Sequence, residues 1–244
     1  MTVDNIVLIC AAILVVAFLY SSVGHAGASG YIAVMTLFGL TPVVIKPAAL
    51  VLNILVASLT AFQFWKAGHF SWRLFWPFAL LSAPFAFLGG YVNLPTHIFK
   101  ILVGIVLLYS AVRFLIEPKG DREPHEPSKP VALSVGAGIG LLSGLTGTGG
   151  GIFLTPLVIF MCWARTKTAS AVSALFILVN SISGLAGNIS STRQLPLFAL
   201  PIVAAAVSGG AVGSYLGSRQ FSPFFIKKLL AVVLTIAGIK LIFT

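Results

Sequence analysis

Apolar residues run in long stretches along this chain, with little alternation of polar and apolar positions. Segments at about 6–23, 29–40, 43–65, 72–93, 96–116, 131–145, 151–163, 168–189, 195–217 and 222–243 carry few polar residues on any face. Helices that are apolar all round lie in a large core or in lipid. A chain of 244 residues cannot hide so many in a soluble core, and transmembrane strands would alternate. The pattern predicts an all-α polytopic membrane protein. A span needs about 20 apolar residues, and the segments at 29–40, 131–145 and 151–163 fall short. They flank two polar, glycine-rich breaks, which predicts broken or re-entrant helices. The fuller break is Ser143-Gly144-Leu145-Thr146-Gly147-Thr148-Gly149-Gly150-Gly151; the looser one is Ser21-Ser22-Val23-Gly24-His25-Ala26-Gly27-Ala28-Ser29-Gly30. Consecutive glycines interrupt a helix, each costing about 1 kcal/mol relative to Ala, and they let backbone approach a ligand closely.

The chain reads as two copies of one unit. A gapless shift of 127 residues pairs Asn53 with Asn180, Lys66 with Arg193, Lys100 with Lys227 and Arg113 with Lys240, together with Gly24/Gly151 and Gly90/Gly217. Duplication around a midplane site is a common transporter plan. The expected organisation is a first repeat at 1–116, a solvated linker at 117–130 holding four of the five acids, and a second repeat at 131–244. Each repeat would comprise a broken or re-entrant helix pair and three transmembrane helices. If each repeat crosses an odd number of times, one side receives Lys66, Arg73, Arg113, Lys119, Arg122, Lys129, Arg165, Lys167, Arg219, Lys227 and Lys228. The other receives only Lys46, Lys100, Arg193 and Lys240. If the first two segments of each repeat instead form one broken span, the charges divide almost evenly. The positive-inside rule selects the first arrangement, which implies inverted repeats, a cytoplasmic central loop and both termini outside.

Composition agrees. Hydrophobic residues make up 58% and charged residues 8%, with a mean hydropathy of +1.06, against about 25% charged in soluble domains. The net charge of +10 is expected to orient spans in a lipid bilayer rather than to bind nucleic acid. Cys10 and Cys162 lack metal-ligand or disulfide spacing, so no metal and no cofactor is implied. The apolar stretch 6–20 has no Lys or Arg before it, unlike a signal peptide, and is expected to remain in the mature protein. Oligomeric state is left open, a homo-oligomer included.

Polar residues inside spans are costly and tend to be functional. The breaks offer Ser21, Ser22, Gly24, His25 and Ser29 in the first copy, and Thr146, Gly147, Thr148, Gly149, Gly150 and Gly151 in the second. A helix restarting after a break presents unpaired N–H groups and a dipole that favours an anion. The competing structural role is close helix packing through small residues. Asn53 and Asn180 sit at equivalent places inside long apolar segments, suited to a substrate or to an interhelical hydrogen bond. Ser170 and Ser173 can line the same cavity or simply pack. His25 is the one titratable side chain in either break, and no Asp or Glu falls within a predicted span. Carboxylate-based coupling is therefore disfavoured, as is ATP use through a GxxxxGK[ST] loop. No catalytic cluster of acids, Cys/His group or GxSxG motif is present, so the chain does not read as an enzyme.

Ser143–Gly151 followed by Ile152-Phe153-Leu154-Thr155-Pro156-Leu157, with the stretch Thr168–Asn180, resembles the sulfite exporter TauE/SafE family over nearly the whole chain. Gly24–Gly30 departs from the fuller glycine run. The resemblance implies a permease of the bacterial cytoplasmic membrane for a small sulfur-containing anion such as sulfite, a sulfonate or sulfoacetate. Its alternatives are an anion channel whose breaks form a filter, or an importer of a related oxyanion.

Overall fold

The computed structural model describes residues 3–40, 42–92, 123–193 and 200–222, with isolated positions at 108, 111–112 and between 224 and 239. The predicted spans at 96–116 and 222–243 lie outside the described residues, apart from those isolated positions. All regular structure among the described residues is helical: α1 (Val3–Ser22), α2 (Ala28–Leu37), α3 (Pro42–Lys66), α4 (Trp72–Tyr91), α5 (Lys129–Thr146), α6 (Gly151–Phe160), α7 (Thr166–Thr192) and α8 (Leu200–Arg219). Six of these are long and apolar enough to cross a membrane. At 1.5 Å per residue, the ten residues of α2 and of α6 reach only about halfway through a hydrocarbon core roughly 30 Å thick. The protein is a polytopic, all-helical membrane protein.

Both breaks are tighter than the pattern suggests. Ser21 and Ser22 finish α1 while Ser29 and Gly30 belong to α2, leaving 23–27 non-helical. Ser143 to Thr146 belong to α5, leaving only 147–150. Serine and threonine stay helical here by bonding back to carbonyls three or four residues earlier, as Ser22 does to Leu19 O and Thr146 to Leu142 O. Helix α5 also starts at Lys129, inside the stretch read as linker, because Pro130 in the first turn loses no helical hydrogen bond.

Packing is by close backbone approach. Helix α1 runs parallel to α8: ideal Cβ atoms on Gly209, Gly213 and Gly217 would fall on main chain at Leu14, Phe18 and Ser22. Helix α5 runs parallel to α4 in the same way, Gly136, Gly140 and Gly144 lying against Phe78, Ser82 and Ala86. Such small-residue stripes are how helices associate where lipid supplies no hydrophobic drive. Helix α3 packs on α7 and α8, α4 on α7, and the short helices α2 and α6 lie on α3 and α7. Two apolar cores result. One gathers Phe78, Ile139, Leu154 and Phe176 with Tyr20 and Val23 of the α1 end; the other gathers Ile13, Tyr31, Leu52 and Ala206 with Ile177 of α7. The breaks lie at their seam.

The two ends of the bundle differ. At one, His125 N donates to Cys162 O, Arg73 pairs with Glu126, and Arg219 donates to Gln63. This end therefore collects Lys66, Arg73, Lys129, Arg165, Lys167 and Arg219, with exposed Trp65, Trp72 and Trp76 around it. Such aromatic residues suit a membrane interface. His69 is half-buried here; burial lowers its pKa below the ordinary value of about 6.5, and nearby Lys167 lowers it further against the opposing hydrogen bond to Ser218 O. Its Nε2–H donates to Ser218 O at 3.0 Å. The opposite end holds the start of α3 and the close of α4, where Lys46 meets Gly90 O.

The close approach makes a direct prediction. Gly144→Ala should destabilise the protein by about 1–3 kcal/mol through overpacking, because the added Cβ meets the Ala86 carbonyl. Gly138→Ala, with nothing within 4 Å of its Cβ, should be neutral or slightly stabilising. Thermal midpoints in one detergent compare them; equal behaviour would show that the α4–α5 contact is looser than described.

Candidate functional site

The second break is a glycine turn. Gly147, Gly149 and Gly150 have φ of 74°, 78° and 80°, a left-handed conformation that costs other residues about 1–2 kcal/mol each. Its amides are partly satisfied within the turn: Gly147 N donates to Ser143 O at 2.8 Å, and Thr148 N to Thr146 Oγ1 at 3.1 Å. The Thr146 and Thr148 hydroxyls lie 2.7 Å apart. Gly150 then caps α6, its carbonyl accepting from Phe153 N and Leu154 N. The N-terminus of α6 thus opens inside the bundle rather than at a surface.

Side chains from distant segments converge on this turn. An ideal Cβ on Gly149 would lie 2.8 Å from Asn53 Nδ2 and 3.0 Å from Ser181 Oγ, and one on Gly151 would lie 3.6 Å from His25 Cδ2. Ser143 lies behind Gly150. Asn53 Nδ2 donates to Ser181 Oγ at 3.3 Å, and His25 Nε2 meets Thr155 Oγ1 at 2.8 Å. Asn180 Oδ1 accepts from Ser82 Oγ at 2.6 Å, so one half of this amide serves the interhelical role. Gly24 of the first break meets Ser170, whose hydroxyl donates to Val23 O at 2.9 Å. Ser29 donates to the Tyr20 hydroxyl at 2.9 Å, while Ser21 and Ser22 bond within α1.

Among the described residues, five buried side-chain atoms have no hydrogen-bond partner: His25 Nδ1, Asn53 Oδ1, Ser143 Oγ, Ser173 Oγ and Asn180 Nδ2. Leaving such an atom unpaired costs about 1–3 kcal/mol. His25, Asn53 and Ser143 all border the Gly149–Gly151 turn. The other two belong to a stripe on α7, where Ser173, Ile177, Asn180 and Ser181 recur at helical spacing. Ile177 of that stripe lies against both Gly149 and Gly151. In this set Asn180 Nδ2 is a donor, Asn53 Oδ1 an acceptor, and the two serine hydroxyls can act as either. When Thr155 donates to Nε2, neutral His25 carries its proton on Nδ1; the Asn53 amide can also turn so that Ser181 donates to its oxygen. Among the described residues no cluster of His, Cys, Asp or Glu suited to a metal occurs. The arrangement gathers hydroxyl, amide and imidazole groups beside the start of a helix.

The profile of the family described as sulfite exporter TauE/SafE matches residues 9–241. The chain belongs to that family. Its relatives include a "Probable membrane transporter protein y4hK" of Sinorhizobium fredii, 39% identical over 95% of this chain and 96% of the relative. A "Probable membrane transporter protein YunE" of Bacillus subtilis is 25% identical over 68% of each chain. The "Probable membrane transporter protein MJ0441" of Methanocaldococcus jannaschii is 26% identical over 74% of this chain and 72% of the relative. No solved structure matches the chain.

Pattern alone does not single out Ser82, Ser143, Thr155, Ser181 or Lys46. Thr155 has a signal, lying one helical turn after Gly151 on the same face of α6. Ser181 has none beyond its place next to Asn180. Thr155→Val should remove the side-chain partner of His25 Nε2 and destabilise the protein by about 1–3 kcal/mol, whereas Thr155→Ser should retain stability. Thermal unfolding of both variants checks this, and an unchanged midpoint for the valine variant would show that the His25–Thr155 bond holds nothing in place.

Proposed function

We propose that this TauE/SafE member is a permease for a small sulfur-containing anion of the sulfite, sulfonate or sulfoacetate class, working by alternating access about the two breaks. One observation carries the reading: unpaired buried polar atoms from both halves of the chain gather where α6 begins inside the bundle. A helix N-terminus is a favourable place for an anion. Ser21, Ser22, Gly24, Ser29 and Ser170 would shape the first break's side, and Asn53, Thr146, Thr148, Ser173 and Asn180 would line the second. His25 bridges them.

Inverted repeats are supported by exchange of roles between halves. Helices α1 to α4 are followed in the same order by α5 to α8; α1 packs on α8 as α5 packs on α4, and α3 on α8 as α7 on α4. Helix α5 starts at the basic end, where Glu126 pairs with Arg73. Helix α1 ends towards it, Ser22 lying against Gly217 beside Ser218. The equivalent helices thus run in opposite directions. The positive-inside rule puts the basic end in the cytoplasm.

Both breaks are packed shut, with Ser22, His25, Asn53, Ser170 and Asn180 at most 1% exposed. That favours a carrier over a continuously open pore. An anion leaving a cell whose interior is negative gains about 2.3 kcal/mol per charge per 100 mV, so export needs no coupling ion. Proteoliposomes under a set potential, offered sulfite, thiosulfate, sulfoacetate, taurine and sulfate, should show saturable flux and counterflow with at least one sulfur anion. Asn180→Ala should cut that flux by about tenfold, the factor equivalent to one lost hydrogen bond of about 1.4 kcal/mol. Ser58→Ala, on the exposed face of α3, should not. Flux no greater than in protein-free vesicles for every anion would defeat the assignment.

A further inference from the structure

Lys46 and Lys167 hold matching places at opposite ends of the bundle. Lys46 is near the start of α3 and Lys167 near the start of α7. Each reaches to a main-chain oxygen in the last turn of the helix that follows its own. Lys46 Nζ donates to Gly90 O of α4 at 3.3 Å, and Lys167 Nζ donates to Ser218 O of α8 at 3.4 Å. Both lysines are half-buried, and among the described residues neither pairs with a carboxylate. Carbonyls at a helix C-terminus carry partial negative charge and attract a cation.

Each receiving turn also packs on the end of the helix that leads into one break. Gly90 N faces Gly144 of α5, and an ideal Cβ on Gly147 would lie 3.1 Å from Lys46 Cγ. At the other end, Gly217 lies on the main chain of Ser22, the last residue of α1, and Gly24 meets Ser170, three positions after Lys167. Lys46 therefore stands at the second break, and Lys167 lies one helical turn before the residue that meets the first.

We infer that Lys46 and Lys167 are paired latches of the permease, each closing one break from its own end of the bundle. The inference rests on reading the breaks as a transport site. An anion is a stronger partner for an ammonium than a neutral carbonyl is. Its arrival draws the lysine away from the carbonyl and frees the end of the fourth helix of that repeat. The basic end is held twice, because His69 Nε2 donates to the same Ser218 oxygen. Losing Lys46 alone opens its end; losing Lys167 alone leaves His69 in place.

Accessibility measured without substrate tests this in nanodiscs, where both faces are open to reagent. The background carries Cys10→Ser and Cys162→Ser. One reporter is Leu50→Cys, beside Gly147, and the other is Ser170→Cys, beside Gly24. A charged methanethiosulfonate should label the position-50 reporter about tenfold faster after Lys46→Met, the factor expected for one lost hydrogen bond, with the position-170 reporter unchanged. Lys46→Arg should keep labelling at position 50 slow, which separates loss of the latch from a general effect of substitution. Labelling at position 170 should rise by a similar factor only when Lys167→Met is combined with His69→Phe. An equal rise at both reporters, or no rise at position 50 in the methionine variant, would overturn the latches. Since labelling requires no bound cargo, a transport panel that finds no cargo would count against the permease reading and leave this result standing.

Discussion

A helix interrupted at membrane depth exposes main-chain amides and carbonyls that lipid cannot pair, and much of this bundle is arranged around that requirement. In the second break, left-handed glycines fold the chain so that its own carbonyls at Ser143 and Gly150 accept the local amides. The first turns on left-handed Gly24 and Gly27 in the same way, with Gly24 N and His25 N donating to Ser21 O and Tyr20 O. Side chains then pair its carbonyls: the Tyr31 hydroxyl donates to Ala26 O at 2.6 Å, and Ser170 reaches Val23 O from α7.

Glycine has a second role in the same structure. Gly144 and Gly217 bring helices of opposite halves to backbone contact beside the breaks. Close packing and the candidate site are therefore compatible readings of one composition. The glycines at Gly147, Gly149 and Gly150 shape the turn, while those within α4, α5, α7 and α8 let the walls approach it.

The long apolar runs and the two glycine-rich interruptions make the helical membrane fold and the location of the breaks legible. His25, Asn53 and Asn180 stand out as polar groups without a sequence-local reason to be buried, and each is buried with one unpaired atom. Their partners are not legible. Asn53 bonds Ser181 and His25 bonds Thr155, pairs separated by 128 and 130 residues, and their meeting depends on how α3, α6 and α7 dock. The 127-residue shift also misplaces the breaks: it aligns Gly24 with Gly151, yet Gly24 lies inside one break while Gly151 begins a helix. Local hydrogen bonding by Ser22 and Thr146 decides where each helix ends, and no repeat pattern reports that.

The central claim is that an anion binds where α6 starts, between His25, Asn53 and the Gly149–Gly151 turn. Selenite, a heavier analogue of sulfite with a strong anomalous signal, tests it in crystals grown from a lipidic phase. The predicted result is an anomalous peak within hydrogen-bond distance of the Gly149–Gly151 backbone and the Asn53 side chain. A peak only in the cavity of about 260 Å³ at the basic end, lined by Ser71, His125, Trp163 and Arg165, would contradict it.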